Sequence, residues 1–273
     1  MLVQNQPNSI SIRNNVKILG SGTRTLLFAN GFGCDQNMWR YVTPAFESDY
    51  RIILFDYVGS GKSDISAYIA ERYATLQGYV KDVLEICEEL QLHDVIFVGH
   101  SVSGMVGLLA GIEQPKYFSK MIMIGPSPCY VNEGAYVGGF ERKDIEGLLE
   151  MMDKNYIGWA NFLGPNVMAN ANRPHLGEEL TQSFCSTDPV IAKNFAEATF
   201  LSDNRQDLKF NTIETLVLQC AEDMIAPLEI GEYLAKSLPH SSLKVMKATG
   251  HCPHMSHPDE VIELMKEFLR LKS

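Results

Sequence analysis

No stretch of the 273-residue sequence approaches the roughly 20 consecutive apolar residues that a bilayer-spanning helix needs. Met1 to Ser9 carries neither a basic start nor an apolar run, so no signal peptide is expected. Excess positive charge is also missing: the formal charge is -10, which argues against nucleic acid or an anionic membrane as the main partner, since both demand concentrated Lys and Arg. The six cysteines (Cys34, Cys87, Cys129, Cys185, Cys220, Cys252) lack the short paired spacings of a zinc site and the density of a disulfide scaffold. They read as reduced thiols in a cytoplasmic protein. The Gly-rich run Asp56 to Ser63 ends in Gly61-Lys62-Ser63, but a phosphate-binding loop needs a further glycine five residues before Gly61, where Phe55-Asp56 stands.

What is present is an alternation of apolar runs and amphipathic segments, with 45% apolar residues to build a core. Eight strands are expected: Ser9–Arg13 and Val16–Leu19, joined as a hairpin at Asn14-Asn15, then Thr25–Ala29, Tyr50–Phe55, Val95–Val98, Met121–Ile124, Thr215–Gln219 and Leu243–Met246. Asp35 to Phe46 has near-helical spacing limited by Pro44. Thr75–Leu92 reads as a helix burying Leu76, Tyr79, Val80, Val83, Ile86, Cys87 and Leu90, with Asp82, Glu85, Glu88 and Glu89 in water. Helices are also expected over Pro227–Leu238 and Asp259–Leu271.

Between Tyr130 and about Asn211 the alternation stops, and four helical patterns follow: Lys143–Lys154, Trp159 to about Met168, Glu178–Phe184 and Pro189–Phe200. The expected architecture is therefore α/β, a mostly parallel eight-stranded sheet covered by helices on both faces, with an inserted four-helix cap. The core would comprise residues 1–126 and 212–273 and the cap residues 127–211.

Val95 to Gly107 is the most informative stretch: a β-branched and aromatic run, a small-residue turn at Gly99-His100-Ser101-Val102-Ser103-Gly104, and then a helical pattern. This is the strand, elbow and helix of a serine nucleophile, with Ser103 where the usual G-x-S-x-G has glycine. Taken alone, Ser101 is as readily a helix cap.

A serine hydroxyl needs a base, and the base needs an orienting group. In this order of elements the acid comes next and then the histidine, each after a later strand. Glu222-Asp223 follows one such strand and Gly250-His251 the next, at the carboxyl ends where open sheets place their sites. Asp223 is the candidate orienting acid and His251 the candidate base. His240, His254 and His257 are alternatives nearby, and Cys252, His254 and His257 form a short Cys/His run without a matching ligand pair elsewhere. No metal or cofactor is expected.

The backbone N–H groups of Val102 and Phe32, the latter in Asn30-Gly31-Phe32-Gly33, are the candidate oxyanion donors. Phe32, Trp159, Phe162, Phe195 and Phe200 are candidate walls of an apolar pocket, although each is more often plain packing; Phe184 shares the pattern.

Gly-His-Ser-Val-Ser at 99–103, Asp-Tyr-Val-Gly-Ser-Gly-Lys-Ser at 56–63, Gly-Pro-Ser-Pro-Cys-Tyr at 125–130, Lys-Asn-Tyr-Ile-Gly-Trp at 154–159, Phe-Cys-Ser-Thr-Asp-Pro at 184–189 and Gly-His-Cys-Pro-His-Met-Ser-His-Pro at 250–258 resemble the RsbQ-like α/β-hydrolases. That group takes in bacterial positive regulators of the sigma-B stress response and, more broadly, the plant strigolactone and karrikin receptors. Ser103 agrees with the plant branch. The resemblance implies that Ser101, Asp223 and His251 are catalytic. It further implies that hydrolysis of a small hydrophobic ester or lactone serves signalling, with a PAS-containing phosphatase as partner. The alternative is a sensor whose output is binding rather than turnover. A dehalogenase or C–C hydrolase on the same fold is the weaker reading, because dehalogenases usually carry aspartate where Ser101 stands. A monomer is expected.

Overall fold

The computed structural model describes residues 9–270; the reading of Met1 to Asn8 and the end of the last helix at Leu271 lie outside the described residues. Among the described residues, seven strands form one sheet, in the order β1-β3-β2-β4-β5-β6-β7. They are β1 (Lys17–Leu19), β2 (Arg24–Ala29), β3 (Tyr50–Leu54), β4 (Val95–His100), β5 (Phe118–Ile124), β6 (Glu214–Glu222) and β7 (Ser241–Thr249). Only β1 runs antiparallel to its neighbour β3; β2 through β7 pair in parallel.

The eighth expected strand, Ser9–Arg13, is instead a short helix α1 (Ile10–Arg13). Its alternating Ser-Ile-Ser-Ile pattern suits a strand, but the Glu89 carboxylate accepts from the Ile10 and Ser11 N–H groups and from the Ser9 and Ser11 hydroxyls. An anion placed on the free N–H groups of a helix start selects the helix. The expected hairpin is therefore absent among the described residues, and the first sheet strand begins after Asn14-Asn15. The segment after β2 holds two 3-10 turns, Gln36–Trp39 and Thr43–Ala45, rather than one helix, with Pro44 inside the second.

The parallel strands bury both faces, so alternate residues supply two cores. Leu27, Ala29, Val95 and Phe97 face α2 (Leu76–Glu89), α3 (Val102–Glu113) and α8 (Leu228–Ser237). Leu26, Phe28, Ile96 and Val98 face Trp39, Phe46 and, after the short α9 (Pro253–Ser256), the apolar stripe of α10 (Pro258–Arg270) formed by Val261, Met265, Phe268 and Leu269. The buried face of α2 is as expected except that Leu90 is half-buried. Of the acids expected in water, Asp82 is fully buried and Glu85 and Glu89 are half-buried, Glu85 paired with Arg13 and Arg72 and Glu89 bonded to α1. Asp82 is held by Arg13 at 3.1 Å, Arg72 at 2.8 Å, the Tyr73 hydroxyl at 2.9 Å and Asn14 at 3.1 Å, which is what makes a buried carboxylate tolerable.

Four helices separate β5 from β6: α4 (Arg142–Lys154), α5 (Tyr156–Met168), α6 (Pro174–Cys185) and α7 (Pro189–Phe200). α5 packs on α6, and α4 on both α5 and α7. Among the described residues no helix is long and apolar enough to cross a membrane.

Candidate active site

At the carboxyl end of β4 the chain turns sharply at Ser101, whose backbone is forced to φ 56°, ψ -126° before α3 begins at Val102. A Cβ at Gly99 would lie 2.5 Å from the Ser103 carbonyl oxygen, so the turn demands glycine there. This strained conformation lifts the Ser101 side chain out of the strand end.

Asp223 follows β6. Its Oδ1 accepts from the N–H groups of Ile225 at 2.8 Å and Ala226 at 3.1 Å, which fixes the carboxylate and leaves Oδ2 free. His251 follows β7 through Gly250, whose φ of 82° and approach to the Met168 carbonyl exclude a side chain. The His251 main chain is pinned on both sides: its N–H donates to the Val167 carbonyl at 2.9 Å, and its carbonyl accepts from His100 Nε2 at 2.7 Å.

These constraints bring the three sequence candidates into one hydrogen-bonded chain. His251 Nδ1 lies 2.7 Å from Asp223 Oδ2, and His251 Nε2 lies 2.7 Å from Ser101 Oγ. With a carboxylate at one end, Nδ1–H donates to Asp223 and Nε2 accepts the Ser101 hydroxyl proton. All three side chains are buried.

The alternatives lie elsewhere. His240 is exposed at the opposite end of β7. His254 is buried, its ring 4.6 Å from that of Trp39 and 4.4 Å from that of His100, and burial holds it well below the ordinary imidazole range. His257 stands beside Arg173. Glu222 is exposed at the end of β6. His100 is pushed down to about 3, first by burial and then by neighbouring His251. The rings behind His251 are therefore neutral and add no positive charge to its surroundings.

The Phe32 and Val102 N–H groups donate to no protein acceptor among the described residues. Val102 opens α3, where the helix leaves its first N–H groups without partners.

Ser101 and His251 open on a cavity of about 30 Å³ walled by Phe32, Leu163, Val167, Leu180, Phe184, Phe200 and Ile225, with Cys34, Cys252 and the Thr199 side chain between them. Burial pushes both thiols up, so they stay neutral. Of the expected wall residues, Phe32 and Phe200 line this space. Trp159 and Phe195 do not; they stand in a layer behind, their rings 6.0 and 5.5 Å from that of Phe32. Phe162 is a correction: it is 53% exposed on the outer face of α5. The inward face of α5 runs Trp159, Leu163, Val167, at spacing i, i+4, i+8, and that spacing was the signal available for Leu163 and Val167.

A serine at a strained strand-to-helix elbow, joined through histidine to an acid from loops after later parallel strands, defines the class of α/β-hydrolase-fold proteins. The model for the alpha/beta hydrolase family matches residues 26–264, and the chain belongs to that family. It is 38% identical to karrikin insensitive 2 receptor CA of Petunia hybrida over 92% of this chain and 94% of the relative. It is 35% identical to strigolactone esterase D14 of Arabidopsis thaliana over 93% and 96%. The solved structure of a hydrolase from Oleispira antarctica is 45% identical, covers 100% of both chains and superposes with a TM-score of 0.95.

Proposed function

We propose that the protein is a serine hydrolase of a small hydrophobic ester or lactone, with core residues 1–126 and 212–273 and a cap at 127–211. The observation that carries this reading is the unbroken Asp223–His251–Ser101 hydrogen-bond chain opening on an apolar cavity. Ser101 Oγ attacks the acyl carbon while its proton passes to His251 Nε2, and Asp223 holds the imidazolium that forms. The Phe32 and Val102 N–H groups receive the developing oxyanion. Collapse breaks the acyl C–O bond as His251 returns the proton to the leaving oxygen. Water, deprotonated by His251, then releases the acid and regenerates Ser101. No cofactor enters these steps.

A signalling role is the second half of the proposal. It is supported by the receptor and strigolactone-esterase names of relatives at 35–38% identity and by the RsbQ-like motifs. In this reading a monomer in the cytoplasm passes a ligand, or its product, to a partner such as a PAS-containing phosphatase. The sensor alternative keeps the pocket and drops turnover.

The test is hydrolysis of nitrophenyl acetate and labelling by a serine-reactive phosphonate, each with wild type and Ser101→Ala. Wild type is expected to turn over and gain one adduct, whereas Ser101→Ala loses at least about 10³-fold in kcat with its Tm unchanged. A wild type that does neither, but shows a ligand-induced thermal shift, favours the sensor.

A further inference from the structure

Ser103 occupies the position where the usual elbow has glycine, and its hydroxyl is fully buried. Its Oγ lies 2.6 Å from the main-chain carbonyl of Asn30 and 2.8 Å from the Tyr57 hydroxyl. A carbonyl only accepts, so the Ser103 proton goes to Asn30 and Tyr57 donates to Ser103. Asn30 is the first residue after β2, and its Nδ2 donates to the Cys34 carbonyl at 2.5 Å. Cys34 N–H in turn donates to the Gly31 carbonyl at 3.2 Å. Residues 30–34 are thus a closed turn with Phe32 at its middle, tied to the protein at its entry by the Ser103 hydroxyl.

Ser103 is also the immediate neighbour of Val102. One hydroxyl therefore joins the first turn of α3, which carries the Val102 N–H, to the loop that carries the Phe32 N–H. We propose that Ser103 is a positioning residue that fixes the spacing between the two oxyanion donors, an inference that rests on the hydrolase reading above. A glycine at 103 leaves the Asn30 carbonyl and the Tyr57 hydroxyl buried without this partner, and the loop loses its tie to the first turn of α3, keeping only its hold at Gly33 from the Ser183 hydroxyl and the ring contacts of Phe32. Donors held at the place where the negative charge develops contribute only when that place is fixed.

Ser103→Ala removes one oxygen and tests this in two ways. Amide hydrogen exchange over residues 31–34 is expected to speed by about tenfold or more relative to wild type, with the amides of α3 beyond its first turn unchanged. On a nitrophenyl acetate substrate kcat is expected to fall about tenfold with KM within about twofold, a split that marks lost transition-state contacts. The preference for the oxygen ester over the matching thionoester should narrow, because the larger sulfur fits a fixed oxyanion site poorly and a loosened one less so. Unchanged exchange over 31–34 overturns the proposal. Equal losses on both esters overturn it as well, since they indicate general damage. If wild type hydrolyses no ester, the hydrolase reading fails on its own while the exchange result still decides whether the tether exists.

Discussion

Protonating His100 or His254 inside the fold would place a charge among buried rings, His100 against those of His251 and His254 and His254 against those of Trp39 and His100. Burial holds His100 down to about 3 and His254 well below its usual value. In the unfolded chain both titrate near 6.5, so below that pH the unfolded state binds more protons than the folded one. The stability tied to their neutrality is full above about pH 6.5, erodes as pH falls from there and is exhausted for His100 near 3. The loss is roughly 1 kcal/mol per histidine by pH 5.5. Glu85, Glu89 and Asp203, which hydrogen bonds hold low against the opposing effect of burial, begin to lose their contributions only in more acid solution. Tm is therefore expected to drop by about 4 °C or more between pH 7.5 and 5.5. His254→Gln should show about half that slope, and a flat wild-type profile would contradict the neutral assignment. At this scale the candidate triad was legible because each member follows a strand in a fixed order. Asp82 was not: its partners Arg13, Arg72 and Asn14 come from other elements, and the helical pattern alone assigns it to water.

Helix α5 shows what pattern does and does not reveal about an element. Its existence and its end near Met168 follow from spacing, although it begins at Tyr156, three residues before the expected Trp159; the inward direction depends on which stripe meets the core. Trp159 stacks on Tyr156 at 5.4 Å and tilts on Phe184 at 5.2 Å, while Phe162 points outward. Trp159→Ala is expected to cost about 3–5 kcal/mol, because the vacated volume cannot collapse against rings on three sides. Phe162→Ala should stay within about 0.5 kcal/mol and leave kcat/KM within about twofold. Thermal denaturation and ester kinetics on the two variants check both; a large effect at Phe162 would show that its exposed face has a role in turnover. The misread α1 carries the same lesson in reverse. Its strand-like alternation is local, and the Glu89 carboxylate that decides for helix arrives from nearly eighty residues away.

For the whole molecule, the mostly parallel sheet and the four helices between β5 and β6 are legible from where alternation stops and resumes, whereas the strand order and the size of the pocket follow only from packing. Helices α5 and α6 are tied to the loops at the carboxyl end of the sheet at the rim of the site. The Ser183 hydroxyl donates to the Gly33 carbonyl at 2.7 Å, Arg40 pairs with Glu179 at 2.7 Å, and the His251 N–H is held by the Val167 carbonyl of α5. Phe32 adds aromatic contacts to α6 and α7, its ring 6.0 Å from that of Phe184 and 5.9 Å from that of Phe200. These ties resist separation of the two layers, and a cavity of about 30 Å³ is far below the ~300–1,000 Å³ of pockets that hold drug-sized ligands. A short acyl group fits by small side-chain shifts; a long one must displace Leu180, Phe184 or Phe200 and break contacts across the rim. Nitrophenyl acetate is therefore expected to exceed nitrophenyl octanoate in kcat/KM by about tenfold or more, each lost contact raising the barrier for the longer chain. Phe200→Ala opens the wall next to Ser101 without touching the rim hydrogen bonds, so it should narrow that preference chiefly by improving octanoate. Equal rates for the two esters in wild type would mean that α5, α6 and α7 part from the sheet layer at little cost, and that the rim contacts do not set substrate size.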